Sequence, residues 1–159
     1  MGYQRIIFHI DVNAAFLSWS AVNRLSQGDP LDIRTISSVI GGNEQARKGI
    51  VLAKSEPARQ FHIVTGETLV SARQKCPSLA VFPPEYSLYM EFSNRMYQIL
   101  CEYSPVIERY SIDECFLDYT GMQAICGDPV QCADAIRRRI FAELGFTVNI
   151  GVGTNKLLA

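Results

Sequence analysis

The chain has 159 residues, 48% apolar and 19% charged, with 15 basic against 16 acidic residues for a formal net charge of −1. That size allows one buried core, or one domain with a small insertion; the near-neutral balance excludes a chain that holds nucleic acid by bulk charge alone. No apolar run approaches the roughly 20 residues of a membrane span, no secretory signal order opens the chain, and Ile6 stands where a myristoylation signal needs Ser or Thr, so a cytoplasmic location without a membrane partner is expected.

Arg5 to Asp11 is an apolar run ending in an acid, as a buried central strand reads. Asn13 offers a cap for a helix over 14 to 26, where Ala14, Leu17, Ala21 and Leu25 recur at helical spacing and Gly28 supplies the stop. Residues 34 to 40 and 49 to 54 lean to strand around the turn-prone Gly41-Gly42-Asn43. Pro57 opens a turn or short helix, Thr68 to Lys75 predicts another helix, and Cys76-Pro77 ends it. From Pro83-Pro84 a helix to about Tyr103 lines up Tyr89, Phe92, Met96, Ile99, Leu100 and Tyr103, a core stripe rather than a cofactor box. Val106 to Arg109 and Ser111 to Tyr119 read as strands. Asp128-Pro129 then starts a helix that buries Ala133, Ile136, Ile140 and Leu144 and ends at Gly145, and Phe146 to Val152 alternates as a last strand.

Setting aside 29 to 83 leaves strand, helix, two strands, helix, strand. This is the order of an α+β, ferredoxin-like split-βαβ fold with an antiparallel sheet and helices on one face, carrying a small inserted domain. Asn155 to Ala159 reads as a helix start without an end, which predicts the N-terminal piece of a longer protein.

Asp11 at a strand end, and the Asp113-Glu114 pair a hundred residues later, can meet on adjacent strands. Carboxylates so placed repel unless a cation neutralises them. One or two carboxylates per ion, completed by substrate phosphates, describe Mg²⁺ sites, and two such ions serve nucleotidyl transfer. An exposed strand face remains the alternative. Successive strand side chains point to opposite faces, so Asp113 and Glu114 share a site only at a hairpin end, a bulge or a strong twist. Asp118 has the parity of Glu114 and is left outside the site.

Three segments, His9-Ile-Asp-Val-Asn-Ala-Ala-Phe16, Tyr110-Ser-Ile-Asp-Glu114 and Gly151-Val-Gly-Thr-Asn-Lys156, resemble, in order, the catalytic-core motifs of Y-family translesion DNA polymerases. The Asp-Val-Asn-Ala start is most similar to the UmuC-like branch. The resemblance covers essentially the whole chain, as palm (1–23 and 84–159) with inserted fingers (24–83), and without thumb or little finger. It implies a template-directed, lesion-bypass DNA polymerase that transfers a dNTP to a primer 3′-OH with two Mg²⁺ ions, a fragment weak or inactive alone. By the same resemblance Asp11 and Asp113 bridge both metals, Glu114 holds the catalytic one, and the Val12 carbonyl completes the nucleotide-bound ion. Phe16 takes the place of the sugar-selecting aromatic, and Arg59 and Lys156 match the cations that grip the triphosphate. Implied partners are primer-template DNA, dNTP and a sliding clamp reached through absent C-terminal regions. Ala53 and Glu56 stand where many relatives have a Thr and a Tyr that touch phosphate, so Glu56 must turn away, or Lys54 or Ser55 serves instead.

Two other functions fit parts of the pattern: a nucleotide cyclase on a similar palm, and a catalytically silent module that binds a DNA-repair partner. Arg137-Arg138-Arg139 reads as a solvated helix face, His9 as a satisfied core residue, Gly41-Gly42 as a turn, and Cys115 as a core filler. The five cysteines form no C-x-x-C pair and suggest neither zinc nor a disulfide framework.

Overall fold

The computed structural model describes residues 5–42 and 49–159. By its internal contacts the chain forms two compact units, Met1–Asn13 with Met90–Ala159, and Ala14–Tyr89. Of the turn expected at Gly41-Gly42-Asn43, Gly41 instead ends a strand and Asn43 lies outside the described residues.

The first unit is built on β1 (Ile7–Val12), β5 (Ile107–Arg109), β6 (Glu114–Asp118) and β7 (Val148–Gly153) in the order β5-β6-β1-β7, every neighbouring pair antiparallel. This is the ferredoxin-like order expected from the sequence. Phe8, Ile10 and Val12 alternate into the core with Cys115 and Leu117, and Phe8 stacks on Tyr119 at 4.7 Å. Burial pushes the Cys115 thiol up to about 11, the behaviour of a core filler. The helix α4 (Tyr86–Cys101) buries Phe92, Met96, Ile99 and Leu100 in this unit.

The α6 helix (Pro129–Leu144) shows both predicted ends. Asp128 accepts from the Val130 and Gln131 amides, Pro129 fills the first turn, and Gly145 closes the helix at φ 77°, a left-handed conformation that costs glycine little. Its expected apolar face is buried. Beyond β7 the chain turns at Asn155, whose side chain accepts from the Leu157 and Leu158 amides. That turn crosses Gly151 and Gly153 so closely that a Cβ on either would collide with the backbone of Leu158 or Ala159.

In the second unit, β2 (Ser38–Gly41) lies between β3 (Val51–Lys54), antiparallel to it, and β4 (Ala80–Phe82), parallel. The short α2 (Glu56–Arg59) is capped by Ser55, and α3 (Leu69–Lys75) by Thr68. One apolar cluster holds Val39, Val51, Ile63, Leu69 and Leu79; another joins Leu17 and Ala21 of α1 (Ala15–Ser26) to Ile33 and Ile40.

Two expectations need correction, and two elements went unforeseen. Asn13 does not cap α1: the cap is Ala14, left-handed at φ 45° with no side-chain bond to the helix, because the Asn13 amide is engaged by Thr147 and Asn149. The strand expected over 111 to 119 begins only at Glu114, and β4 and the turn of helix α5 (Gln123–Cys126) were not anticipated. Among the described residues no helix is long and apolar enough to cross a membrane.

Candidate active site

Antiparallel pairing places Asp11 of β1 opposite Glu114 of β6 on one side and Asn149 of β7 on the other. Asp113 lies in the hairpin turn just before β6, and its carbonyl accepts from the Val12 amide at 3.1 Å. The parity conflict therefore disappears: only Glu114 obeys the strand's alternation, and Asp113 is free of it. Asp118 is held away at the other end of β6, paired with Arg5.

Asp11 senses the two other acids. Burial raises the Asp11 carboxyl above its ordinary range, the Asp113 and Glu114 charges raise it further, and His9 opposes them. The Ser111 hydroxyl lies 2.6 Å from Asp113 Oδ1 and 3.1 Å from Glu114 Oε2. On the other side His9 Nε2 stands 3.5 Å from Glu114 Oε1. His9 is thus not a satisfied core residue: it is partly exposed, and its Nε2 is buried without a hydrogen bond. Its position two residues before Asp11 puts both on one strand face, the signal that could have found it. Ser111 stands inside the Tyr110-to-Glu114 segment singled out in the sequence but was given no role there, since only the fold turns its hydroxyl onto both acids.

The donor set is hard oxygen, and its repulsion is the kind a divalent cation relieves. Among the described residues, however, no group of three His, Cys, Asp or Glu side chains closes into a ready-made metal cage. The residues fit Mg²⁺ in its usual manner, with few carboxylates and open positions for water or substrate oxygens. Val12 is buried beside the acids.

Lys156 forms an ion pair with Glu108 and lies 5.2 Å from the centre of the Phe116 ring. In the second unit, Phe16 is half-buried and stacks on Tyr89 at 4.6 Å and 9°, with Tyr86 edge-on at 6.2 Å. Arg59 pairs with Glu56 at 3.4 Å, both exposed, so Glu56 faces the arginine of its own helix. Lys54 donates to the Ile63 carbonyl and the Ser55 hydroxyl caps α2, which commits both to local structure. The arginine run is also locally paired: Arg137 and Arg138 with Asp134, Arg139 with Glu102 and Glu143.

A family model described as IMS, the impB/mucB/samB family, matches residues 10–159, which include all three acids. The chain belongs to this family, that of the Y-family DNA polymerases. Within the family, DNA polymerase IV of Clostridium acetobutylicum is 53% identical over 159 residues, covering 98% of this chain and 39% of that protein. DNA polymerase IV 2 of Bacillus subtilis is 33% identical, covering 100% and 37%. Among solved Y-family structures, DinB from Sulfolobus solfataricus superposes with a TM-score of 0.80 at 26% identity, covering 97% of this chain and 43% of that one. An insertion ternary complex of Dbh DNA polymerase gives 0.81 at 27%, covering 97% and 44%. The chain therefore spans less than half the length of each of these Y-family proteins.

Proposed function

We propose that this chain is the catalytic palm and fingers portion of a lesion-bypass, template-directed DNA polymerase. The observation that carries the reading is the meeting of Asp11, Asp113 and Glu114 at one end of a ferredoxin-like sheet, in a chain of the Y-family. Asp11, Asp113 and Glu114, with the Val12 carbonyl, would hold two Mg²⁺ ions. When bound, such ions supply activation of a hydroxyl and charge stabilisation of a leaving pyrophosphate. The Ser111 hydroxyl lies against both Asp113 and Glu114, which limits the directions their carboxylates take before substrate arrives. Lys156 and Arg59 supply positive charge for the triphosphate, Lys156 as a point charge and Arg59 as a planar fork. Phe16, fixed by its stack on Tyr89, presents a flat apolar wall to the sugar.

In this reading residues 1–23 and 84–159 are palm and 24–83 are fingers, and the protein acts in the cytoplasm on primer-template DNA and dNTP. A sliding clamp would engage regions outside this chain. The Asp11-Val-Asn-Ala start favours the UmuC-like branch, while the names of its relatives favour the DNA polymerase IV branch; the 53% identity gives the latter more weight. Residues 1–159 alone would extend primers weakly or not at all, since most phosphate contacts that give DNA affinity lie elsewhere. The test is product analysis of the intact protein with primer-template, dNTPs and Mg²⁺. Primer extension supports the reading; a cyclic nucleotide, or no product beside intact DNA binding, overturns it.

A further inference from the structure

Two residues behind the acids the sheet carries a second row: Glu108 on β5, Phe116 on β6 and His9 on β1 stand opposite one another in register. Cross-strand neighbours on one face are the units through which a sheet fixes its side chains. Phe116 is the hub of the row. His9 stacks on its ring at 4.5 Å and 16°, Tyr110 meets it edge-on at 5.7 Å, and the Lys156 ammonium lies 5.2 Å from its centroid. Core packing does not account for this ring: Phe116 is half-buried on the face of Glu114, while its neighbours Cys115 and Leu117 fill the core.

Lysine is a charge on a flexible four-carbon stem, so an unsupported ammonium samples many positions. Here it is confined between the Glu108 carboxylate and the Phe116 ring, whose π face attracts a cation within about 6 Å. His9 and Tyr110 in turn fix the plane of that ring. We propose that Phe116 is a positioning residue that holds the Lys156 ammonium ready for the triphosphate of an incoming nucleotide. The proposal rests on the reading of Lys156 given above. A flat ring does this and a branched aliphatic chain of similar size does not, because only the ring carries the quadrupole.

The experiment is calorimetry of dNTP binding with Ca²⁺ to the intact protein on primer-template, alongside unfolding midpoints. Phe116→Leu should weaken nucleotide binding about three- to tenfold, the range of a cation–π contact, and Lys156→Ala about ten- to a hundredfold, the range of a charge-assisted contact. Phe116→Tyr, which keeps the ring, should stay within about twofold of the parent. In the Lys156→Ala background Phe116→Leu should cost nothing further, since the ammonium it positions is gone. Should Phe116→Leu fail to fold, Phe116→Met carries the same expectation. Unchanged binding in the Phe116 variant, or a loss that persists in the double variant, overturns the positioning role and leaves Lys156 as a nucleotide contact. An unchanged dissociation constant in Lys156→Ala overturns both.

Discussion

The four-stranded sheet ends in three carboxylates that repel one another, whereas the three-stranded sheet surrounds its polar groups with partners. In the first, burial and the charges of Asp113 and Glu114 push Asp11 upward. In the second, Ser38 donates to the Ile33 carbonyl and Lys54 to that of Ile63. Ser55 bonds Ser38, Ala58 and Ile36 at once, and the Arg34 guanidinium holds Asp32 below the usual carboxylate range. Satisfied polar groups stabilise a fold. A cluster left in repulsion detracts from stability, and such perturbed groups concentrate where a protein does chemistry.

Removing one member of each set separates these roles most sharply. Asp113→Ala should lower Mg²⁺-dependent primer extension by the intact protein about 10²- to 10³-fold or more, the scale of losing an electrostatic stabiliser. It should leave the unfolding midpoint equal or higher, since one repelling charge is gone. Near-parent extension would refute the catalytic reading of the acids. Ser55→Ala should do the reverse. Ser55 is 2% exposed, and its loss strands buried donors and an acceptor at about 1–3 kcal/mol, read by denaturant unfolding. A neutral Ser55→Ala would break the comparison from the structural side.

How far the sequence announced these regions depended on whether the signal was local. The α6 helix was legible at both ends because Asp128-Pro129 and Gly145 act within one turn of themselves. Asn13 misled because its amide is claimed by Thr147 and Asn149, more than a hundred residues away. The three-residue β4 was invisible because it exists only by parallel pairing with β2. The acids were readable as residues, but their meeting was not: Asp113 joins Glu114 only because the strand starts one residue after it. Glu56 looked repulsive in sequence, but in place it faces Arg59 one helical turn on.

Phe16 sharpens the comparison from within the second unit, where the residue proposed to face the sugar is also packed. Its stack on Tyr89 leaves the residue half-buried, neither core nor free. Phe16→Ala should raise ribonucleotide incorporation relative to deoxyribonucleotide. The shift should be about 1–3 kcal/mol, the cost of burying a 2′-hydroxyl against a wall without a hydrogen-bond partner. Single-nucleotide incorporation with both sugars reads the ratio. An unchanged ratio in a protein with a lowered unfolding midpoint would make Phe16 a packing residue only.

The smallest effect, and the most direct reading of the contrast, is the sign of two pH dependences. Asp11 binds its proton more tightly in the fold than in the unfolded chain, because burial and then Asp113 and Glu114 disfavour its charge. The stability it contributes is therefore complete below the ordinary aspartate value of 3.8 and is lost as pH rises through the higher folded value. Asp32 is the opposite: the Arg34 hydrogen bonds, working against burial, lower its folded value. Its contribution is present above 3.8 and is lost as pH falls through that lower value. Unfolding free energies without divalent ions, measured for the parent, Asp11→Asn and Asp32→Asn across acid pH, isolate each residue by difference. Relative to the parent, Asp11→Asn should gain stability as pH climbs above 3.8, and Asp32→Asn should lose its deficit as pH drops below it. A divalent cation should flatten the first dependence, because it favours the ionised carboxylate, and should leave the second untouched. Slopes of the same sign would mean that the acids at the end of β1 are ordinary surface carboxylates after all.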